Sequence, residues 1–176
     1  RGAYYTPLKL AEKIVDFFKN DISIKNILEP SCGDGVFIDA LVETNFLKQN
    51  NKVTAIEIEK NEVEKLEKKL DGDPRIDIVN GDFFEFYQKQ KDLKKYDLIL
   101  GNPPYIRYQY LEEKQREEMA EILTNHGMKA NKLINTWVGF MVACVHMLNT
   151  NGENCIRNSS RDSSSCLCGG FKIISG

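Results

Sequence analysis

The sequence predicts an α/β domain built around a doubly wound, mostly parallel β-sheet. Short apolar or β-branched runs alternate along the chain with longer segments of helical periodicity, as expected for a parallel sheet with helices on both faces. A length of 176 residues suits one domain, and 41% hydrophobic and 28% charged residues are typical of an ordinary globular protein.

Four strands are expected from compact apolar runs. The first ends at Pro30, and the second combines β-branched residues with alternation. The third and fourth are short apolar runs further along the chain. In chain order the strands cover residues 26–29, 52–58, 75–79 and 96–100.

Five helices are expected from apolar residues at helical spacing. Thr6 is the expected N-cap of the first helix, with Pro7 at its first position, and Asn61 is the expected N-cap of the third. In chain order the helices cover residues 7–18, 36–47, 61–70, 112–123 and 136–148.

Bulk properties exclude several classes of protein. The net charge of −2 argues against a protein that coats nucleic acid, although an enzyme with a local basic surface remains compatible. The five cysteines are odd in number and lack CxxC spacing, so we expect neither a metal site nor a disulfide framework. No apolar run is long enough for a bilayer and no secretory signal is evident, which favours the cytoplasm.

The segment 153–176 breaks the pattern, because it is rich in Ser, Cys and Gly and has little periodicity. A doubly wound domain should place another strand just after the Asn151-Gly152 turn. Two interpretations stay open, a disordered polar tail and a shift of reading frame. Codons for 153–170 exist that, read one nucleotide later, encode an apolar strand, a proline turn and a helix.

A glycine loop, LEPSCGDG, follows the first strand. Gly33 and Gly35 permit a tight turn and close approach of a ligand, but the spacing matches neither GxGxxG nor a P-loop. The acids Glu29 and Asp34 flank this turn. They disfavour a pyrophosphate and suit a cationic ligand such as an ammonium or sulfonium. An ordinary glycine turn is the alternative interpretation.

Acids also end the next two strands. Glu57 lies about 20 residues beyond the glycines, where an acid can accept both ribose hydroxyls, and Ile58 can pack on an adenine. Asp82 can accept from an adenine amine, while Phe83 covers the ring. The alternatives are a solvated acid at Glu57, and a helix N-cap followed by a core phenylalanine at Asp82-Phe83. Together the three strand ends predict a crevice for an adenosine that carries a positive charge.

Asn102-Pro103-Pro104-Tyr105 ends the fourth strand beside the same crevice. The prolines stiffen the loop, so the Asn102 side-chain carbonyl and the Pro103 backbone carbonyl form two convergent acceptors. Two such acceptors can hold a planar NH2 group and make its lone pair a better nucleophile. Tyr105 offers a stacking face for an aromatic base. A simple turn is the alternative.

These motifs resemble those of amino-group DNA methyltransferases, specifically the gamma-order N6-adenine enzymes of the Eco57I-like and TaqI-like families. The resemblance covers about residues 2–152. Its motifs are GAYYTP at 2–7, LEPSCGDG at 28–35, AIEIE at 55–59, GDFF at 81–84, NPPY at 102–105 and NTWVGFMVACVHML at 135–148.

The resemblance implies a Rossmann-like methyltransferase fold with S-adenosylmethionine as cofactor. Asn102 and Pro103 would bind the target amine, with Pro104 and Tyr105 completing the catalytic motif and Tyr105 stacking on a flipped adenine. Glu29 would face the methionine ammonium of the cofactor, Glu57 its ribose and Asp82 its adenine. Further cofactor contacts are expected at Tyr5, Thr6, Pro30, Cys32, Gly33, Gly35, Ile58 and Phe83. Trp137 and Phe140 would line the pocket or pack in the core.

The resemblance also implies double-stranded DNA as partner, a restriction-modification or related defence system with a separate restriction subunit or a fused nuclease, and a location at the nucleoid of a prokaryotic cell. Residues 1–152 would form an incomplete catalytic domain, and 153–176 a tail outside the family. The family's sheet continues with strands that this tail is not expected to supply, so the fold is expected to be truncated at its C-terminal side, with the target-recognition domain absent.

Two alternatives remain from the sequence. Another NPPY enzyme would methylate a protein glutamine or a different amine, but GAYYTP directly before the glycine loop favours the DNA enzymes. A fragment that binds S-adenosylmethionine without catalysis is the second alternative.

Overall fold

The computed structural model describes residues 6–104, 106, 108–129, 136–157, 166–168 and 172–174. The strands are β1 (Asn26–Glu29), β2 (Lys52–Glu57), β3 (Ile76–Asn80), β4 (Tyr96–Gly101), β5 (Leu148–Arg157), β6 (Cys166–Cys168) and β7 (Lys172–Ile174). The helices are α1 (Leu8–Phe18), α2 (Val36–Glu43), α3 (Lys60–Leu70), α4 (Phe83–Gln90), α5 (Glu113–Asn125) and α6 (Thr136–Met147).

The strands form one sheet in the order β3-β2-β1-β4-β5-β6-β7. The first five positions in this order pair in parallel, whereas β6 and β7 add antiparallel pairs at one edge. The order reverses direction between β1 and β4, the position where open α/β sheets form a ligand crevice. The mostly parallel, doubly wound sheet expected from the sequence is confirmed.

Side chains alternate between two apolar layers along the central strands. Ile27 and Leu98 pack with α1 and α2 on one face, while Leu28 and Ile99 pack with α4, α5 and α6 on the other. Leu66 of α3 joins a smaller cluster next to the glycine loop. Since both faces are covered, the central strands are apolar on both sides, as parallel strands require.

Several helix ends differ from the sequence prediction. Helix α1 starts after Pro7, and Thr6 does not cap it; its hydroxyl is buried and has no hydrogen-bond partner among the described residues. Helix α3 has Glu59 at its N-cap, so the Asn61 cap was wrong. Helix α2 ends at Glu43 because the chain turns at Asn45, whose φ is 54°.

Two larger features were missed. Helix α4 was not predicted as an element, although Phe83, Phe84 and Tyr87 form its buried face. The segment after residue 152 contributes the end of β5 together with β6 and β7, where the tail composition predicted no strands for this sheet. None of the helices in the described part of the chain has the length and apolar content needed to cross a membrane.

Candidate active site

The candidate site lies at the edge of the sheet where β1, β2, β3 and β4 reach their carboxyl ends. Parallel registry brings these ends together, since Glu29 is paired with Ala55 and Glu57 with Asn80. Strand β4 runs beside β1, with Leu28 paired to Ile99. The loops that carry the sequence-predicted acids and the Asn-Pro-Pro motif therefore emerge along one edge.

The glycine loop is fixed to β2 by its backbone. The Cys32 N–H donates to the Ile56 carbonyl at 2.9 Å, and the Gly33 N–H donates to Glu57 Oε2 at 2.8 Å. Gly35 has φ +81°, and a Cβ there would overlap Leu66 Cδ2 of α3. The loop therefore needs glycine at this position for both its backbone conformation and its packing.

Glu57 holds two backbone segments while keeping acceptor capacity. Its side chain is buried, and its two oxygens accept from the Gly33 N–H at 2.8 Å and the Glu59 N–H at 2.7 Å. A carboxylate has about four lone-pair sites, so capacity for two further donors remains. The neighbouring Ile58 is 55% exposed, so its side chain is accessible to a flat ligand at this edge.

Glu29 is the most electrostatically perturbed acid at this edge. It is 1% exposed, and its Oε2 has no hydrogen-bond partner among the described residues. Burial raises the pKa of Glu29 well above its ordinary value, and the negative charges of Asp34, Asp39 and Glu57 raise it further. A cation placed against this carboxyl would relieve both effects.

Asp82 and Phe83 adopt the arrangement given above as their alternative. Asp82 is the N-cap of α4, and its Oδ1 accepts from the backbone N–H groups of Phe84, at 2.8 Å, and Glu85, at 3.2 Å. The Phe83 ring is 3% exposed and packs 4.7 Å from the Phe140 ring, centroid to centroid. A ligand contact at these two residues stays a prediction.

Two polar residues that the sequence analysis overlooked support this edge. Asn80 Nδ2 donates to the carbonyls of Glu57, at 2.9 Å, and Ile58, at 3.2 Å, and so joins the ends of β3 and β2. Gln115 Nε2 of α5 donates to Asp82 Oδ2 at 2.8 Å. An asparagine at a strand end was a visible signal, whereas Gln115 lies 33 residues from its partner and gave none.

The Asn-Pro-Pro loop lies directly against the glycine loop. A Cβ on Gly101 would lie 3.2 Å from Pro30 Cδ, so glycine allows β4 to end close to the end of β1. The Ser31 hydroxyl contacts the Asn102 backbone carbonyl at 3.4 Å. Pro103 is buried and Pro104 is exposed. The loop is thus brought to the edge that holds Glu29 and Glu57.

The remaining sequence-predicted residues fall into three groups. Tyr5 and Tyr105 lie outside the described residues. Cys32 is buried, and burial raises the pKa of its thiol far above the usual range, so the thiol is not a reactive nucleophile. A cofactor contact at Cys32 stays a prediction. Phe140 lies in the core, whereas Trp137 is half-buried with an indole N–H that has no partner in the described part of the chain.

Comparison with known proteins identifies relatives of this chain. The family model described as the Eco57I restriction-modification methylase matches residues 8–161, a range that includes all of β5. The type II methyltransferase M.HincII of Haemophilus influenzae is 29% identical over 154 residues, which cover 86% of this chain and 26% of that protein.

Solved structures share the fold. A modification subunit of a putative type I restriction enzyme from Vibrio vulnificus YJ016 matches with a TM-score of 0.67 and 18% identity, over 88% of this chain and 34% of that one. A putative class I S-adenosylmethionine-dependent methyltransferase from Listeria monocytogenes matches with a TM-score of 0.66 and 13% identity, over 89% and 48% of the two chains. The Rossmann-like methyltransferase fold is thereby confirmed. The chain spans about a quarter of the length of the curated relatives it matches.

Proposed function

The chain belongs to the Eco57I restriction-modification methylase family, and we propose that it performs the methyl transfer of a site-specific DNA adenine-N6 methyltransferase. The observation that carries this proposal is the position of the stiff Asn102-Pro103-Pro104 loop at the same sheet edge as the buried acids Glu29 and Glu57. The acceptors proposed for the amine and the acids proposed for the cationic adenosine would then lie at one edge of the sheet.

The residues at the edge fit S-adenosylmethionine. Glu29 is a buried acid with an unpartnered oxygen, which suits the methionine ammonium, and the Thr6 hydroxyl is a second buried group without a described partner. Glu57 would accept the ribose hydroxyls with its remaining lone pairs, and Ile58 would cover the adenine. When bound, this cofactor supplies an electrophilic methyl group on a sulfonium.

The Asn-Pro-Pro loop would hold the nucleophile. The Asn102 side-chain carbonyl and the Pro103 backbone carbonyl each accept one hydrogen of the target NH2 group, which turns the nitrogen lone pair toward the methyl donor. Both groups are neutral dipoles, so their contribution is orientation together with stabilisation of positive charge that develops on the nitrogen. We propose Tyr105, which lies outside the described residues, as the stacking partner of the base.

The target amine would be N6 of an adenine in duplex DNA. That atom is inside the base stack, so the enzyme must extrude the nucleotide, at a cost of about a few kcal/mol. The motif GAYYTP before the glycine loop favours this substrate over a protein glutamine amide. The expected partners are double-stranded DNA and the nuclease of a restriction-modification system, separate or fused.

Transfer from labelled S-adenosylmethionine tests this proposal directly. Protein made from the complete gene is incubated with duplex DNA of random sequence, and the methylated nucleoside is identified by mass spectrometry. We expect the methylated nucleoside from the DNA to be N6-methyladenine. Label in a protein glutamine, in cytosine or in RNA would overturn the substrate assignment, and cofactor binding without transfer would indicate a binding protein.

A further inference from the structure

Thr136, the first residue of α6, makes four contacts with the backbone of Pro104 and Ile106. Its hydroxyl accepts from the Ile106 N–H at 2.9 Å, and its own N–H donates to the Ile106 carbonyl at 3.1 Å. The hydroxyl oxygen also lies 2.7 Å from the Ile106 carbonyl and 3.1 Å from the Pro104 carbonyl. A hydroxyl has one hydrogen, so it donates to one of these two carbonyls at a time.

Thr136 is buried, and its helix α6 packs tightly against neighbouring helices. The side chain is 2% exposed, so water does not compete for these hydrogen bonds. Three residues further along α6, a Cβ on Gly139 would lie 2.6 Å from Met119 Cγ of α5, so the two helices pack closely. The next residue, Phe140, has its ring centroid 5.0 Å from that of Phe84 in α4. Helix α6 is therefore held by two neighbouring helices.

The loop has a second fixed point at its other end. Strand β4 pairs with both β1 and β5, and its last residue, Gly101, lies against Pro30. Residues 102–104 consequently lie between two fixed points, the end of β4 and the contacts of Pro104 and Ile106 with the start of α6. Proline fixes φ but leaves ψ free, so the prolines alone do not determine where the two acceptor carbonyls point.

We infer that Thr136 is a positioning residue for the amine-binding loop, residues 102–104. Its hydrogen bonds to the backbone of Pro104 and Ile106 fix the direction of the two acceptor carbonyls, those of the Asn102 side chain and the Pro103 backbone. This inference rests on the proposed function, because it assigns the loop a target amine. It differs from that proposal in naming a residue on α6, 30 residues from its partner Ile106, whose hydroxyl and N–H are hydrogen-bonded to the backbone of the loop.

Substitution of Thr136 separates positioning from folding. Thr136→Val keeps the shape of the side chain but removes both the donor and the acceptor, whereas Thr136→Ser keeps the hydroxyl. We expect Thr136→Val to lower the single-turnover rate of methyl transfer by about 10- to 100-fold, the size of effect that a small misplacement produces. Its affinity for S-adenosylmethionine should stay within about twofold, because Thr136 does not touch the proposed cofactor residues, and its KM for DNA should change little. Thr136→Ser should restore most of the rate.

Thr44→Val is the matched control, because the Thr44 hydroxyl donates to the Ala40 carbonyl of α2 at 2.7 Å, on the opposite face of the sheet. Amide hydrogen exchange at Ile106 gives a readout that is independent of activity. It should accelerate at least tenfold in Thr136→Val but not in Thr136→Ser or Thr44→Val. Should the valine variant not fold, Thr136→Ala replaces it, because alanine has a higher intrinsic helix propensity than the β-branched valine.

The outcomes are distinct. Wild-type transfer rates in Thr136→Val, or an equal loss in Thr136→Ser, would overturn the inference. Unchanged exchange at Ile106 in the valine variant would also overturn it, even in a protein that transfers no methyl group. If the wild-type protein transfers none while Ile106 exchange responds as expected, the proposed substrate fails and the contact between Thr136 and the loop stands.

Discussion

Replacing Glu29 with glutamine tests the electrostatic account of the cofactor site. The change keeps the size of the side chain and removes its charge. Because burial and nearby negative charges raise the pKa of Glu29 in the folded protein, the folded state binds this proton more tightly than the unfolded state. The free energy of unfolding must therefore fall as the pH rises from the unfolded pKa of about 4.3 toward the raised folded value.

The size of the effect follows from how steeply the free energy of unfolding changes with pH. One proton corresponds to at most about 1.4 kcal/mol per pH unit. Other acids titrate in the same range, so the informative quantity is the difference between wild type and Glu29→Gln. Between about pH 4.3 and the raised folded pKa, the free energy of unfolding of Glu29→Gln relative to the wild type should increase by up to this amount for each pH unit. Below about pH 4.3 the difference between the two proteins should be constant.

The affinity for S-adenosylmethionine should increase with pH, whereas the free energy of unfolding decreases. An ammonium beside Glu29 lowers its pKa, so the carboxyl releases a proton on binding, and the affinity of the wild type should rise by up to about tenfold per pH unit until the raised pKa is passed. Glu29→Gln should lose this dependence. Loss of a charge-assisted hydrogen bond worth about 1.5–3 kcal/mol should also weaken binding about 10- to 100-fold at neutral pH.

Urea unfolding at a series of pH values measures the first effect, and calorimetric titration with S-adenosylmethionine measures the second. Glu67→Gln, which changes an exposed glutamate on α3, is the matched control and should alter neither. If the free energy of unfolding of Glu29→Gln kept the pH dependence of the wild type, the raised pKa of Glu29 would be refuted. Wild-type affinity of Glu29→Gln for S-adenosylmethionine would refute the assignment of Glu29 to the ammonium.

Two further predictions concern the glycine loop. Gly35→Ala should destabilise the protein by about 1–2 kcal/mol from its left-handed backbone and by about 1–3 kcal/mol more from overlap with Leu66, whereas Gly72→Ala, at φ +71° with no atom within 4 Å, should show only the backbone cost in urea unfolding. Equal losses in the two variants would contradict the packing argument. Glu57→Gln sets an NH2 group against one of two backbone N–H donors, so unfolding should become easier by about 1–3 kcal/mol and cofactor affinity should fall in calorimetry. Retention of both properties would show that Glu57 holds neither the loop nor the ribose.

Local sequence was sufficient for the elements with strong periodicity. Strand β1 has the bounds expected from its apolar run, and the alternation within β2 correctly placed Glu57 at the carboxyl end. Glycine spacing located the loop at Gly33 and Gly35, whose φ values of 54° and 81° lie in the left-handed region that favours glycine. The strand ends converge simply because the strands are parallel.

The sequence did not reveal features that depend on distant contacts. The aromatic run of α4 has a helix face only once Phe84 and Tyr87 are packed against α5 and α6. The helix start at α3 depends on where β2 ends, which moved its cap from Asn61 to Glu59. The bonds from Gln115 to Asp82 and from Thr136 to Ile106 join residues about 30 positions apart, and no local pattern encodes them.

The most direct test of the central claim is the single-turnover rate of methyl transfer to adenine in duplex DNA for the wild type and Asn102→Ala. Loss of one of two preorganised acceptors should lower the rate by about 10²- to 10³-fold, while affinity for S-adenosylmethionine stays within about twofold and the control Asn20→Ala on the exposed surface keeps the wild-type rate. N6-methyladenine formed by Asn102→Ala at the wild-type rate would contradict the account.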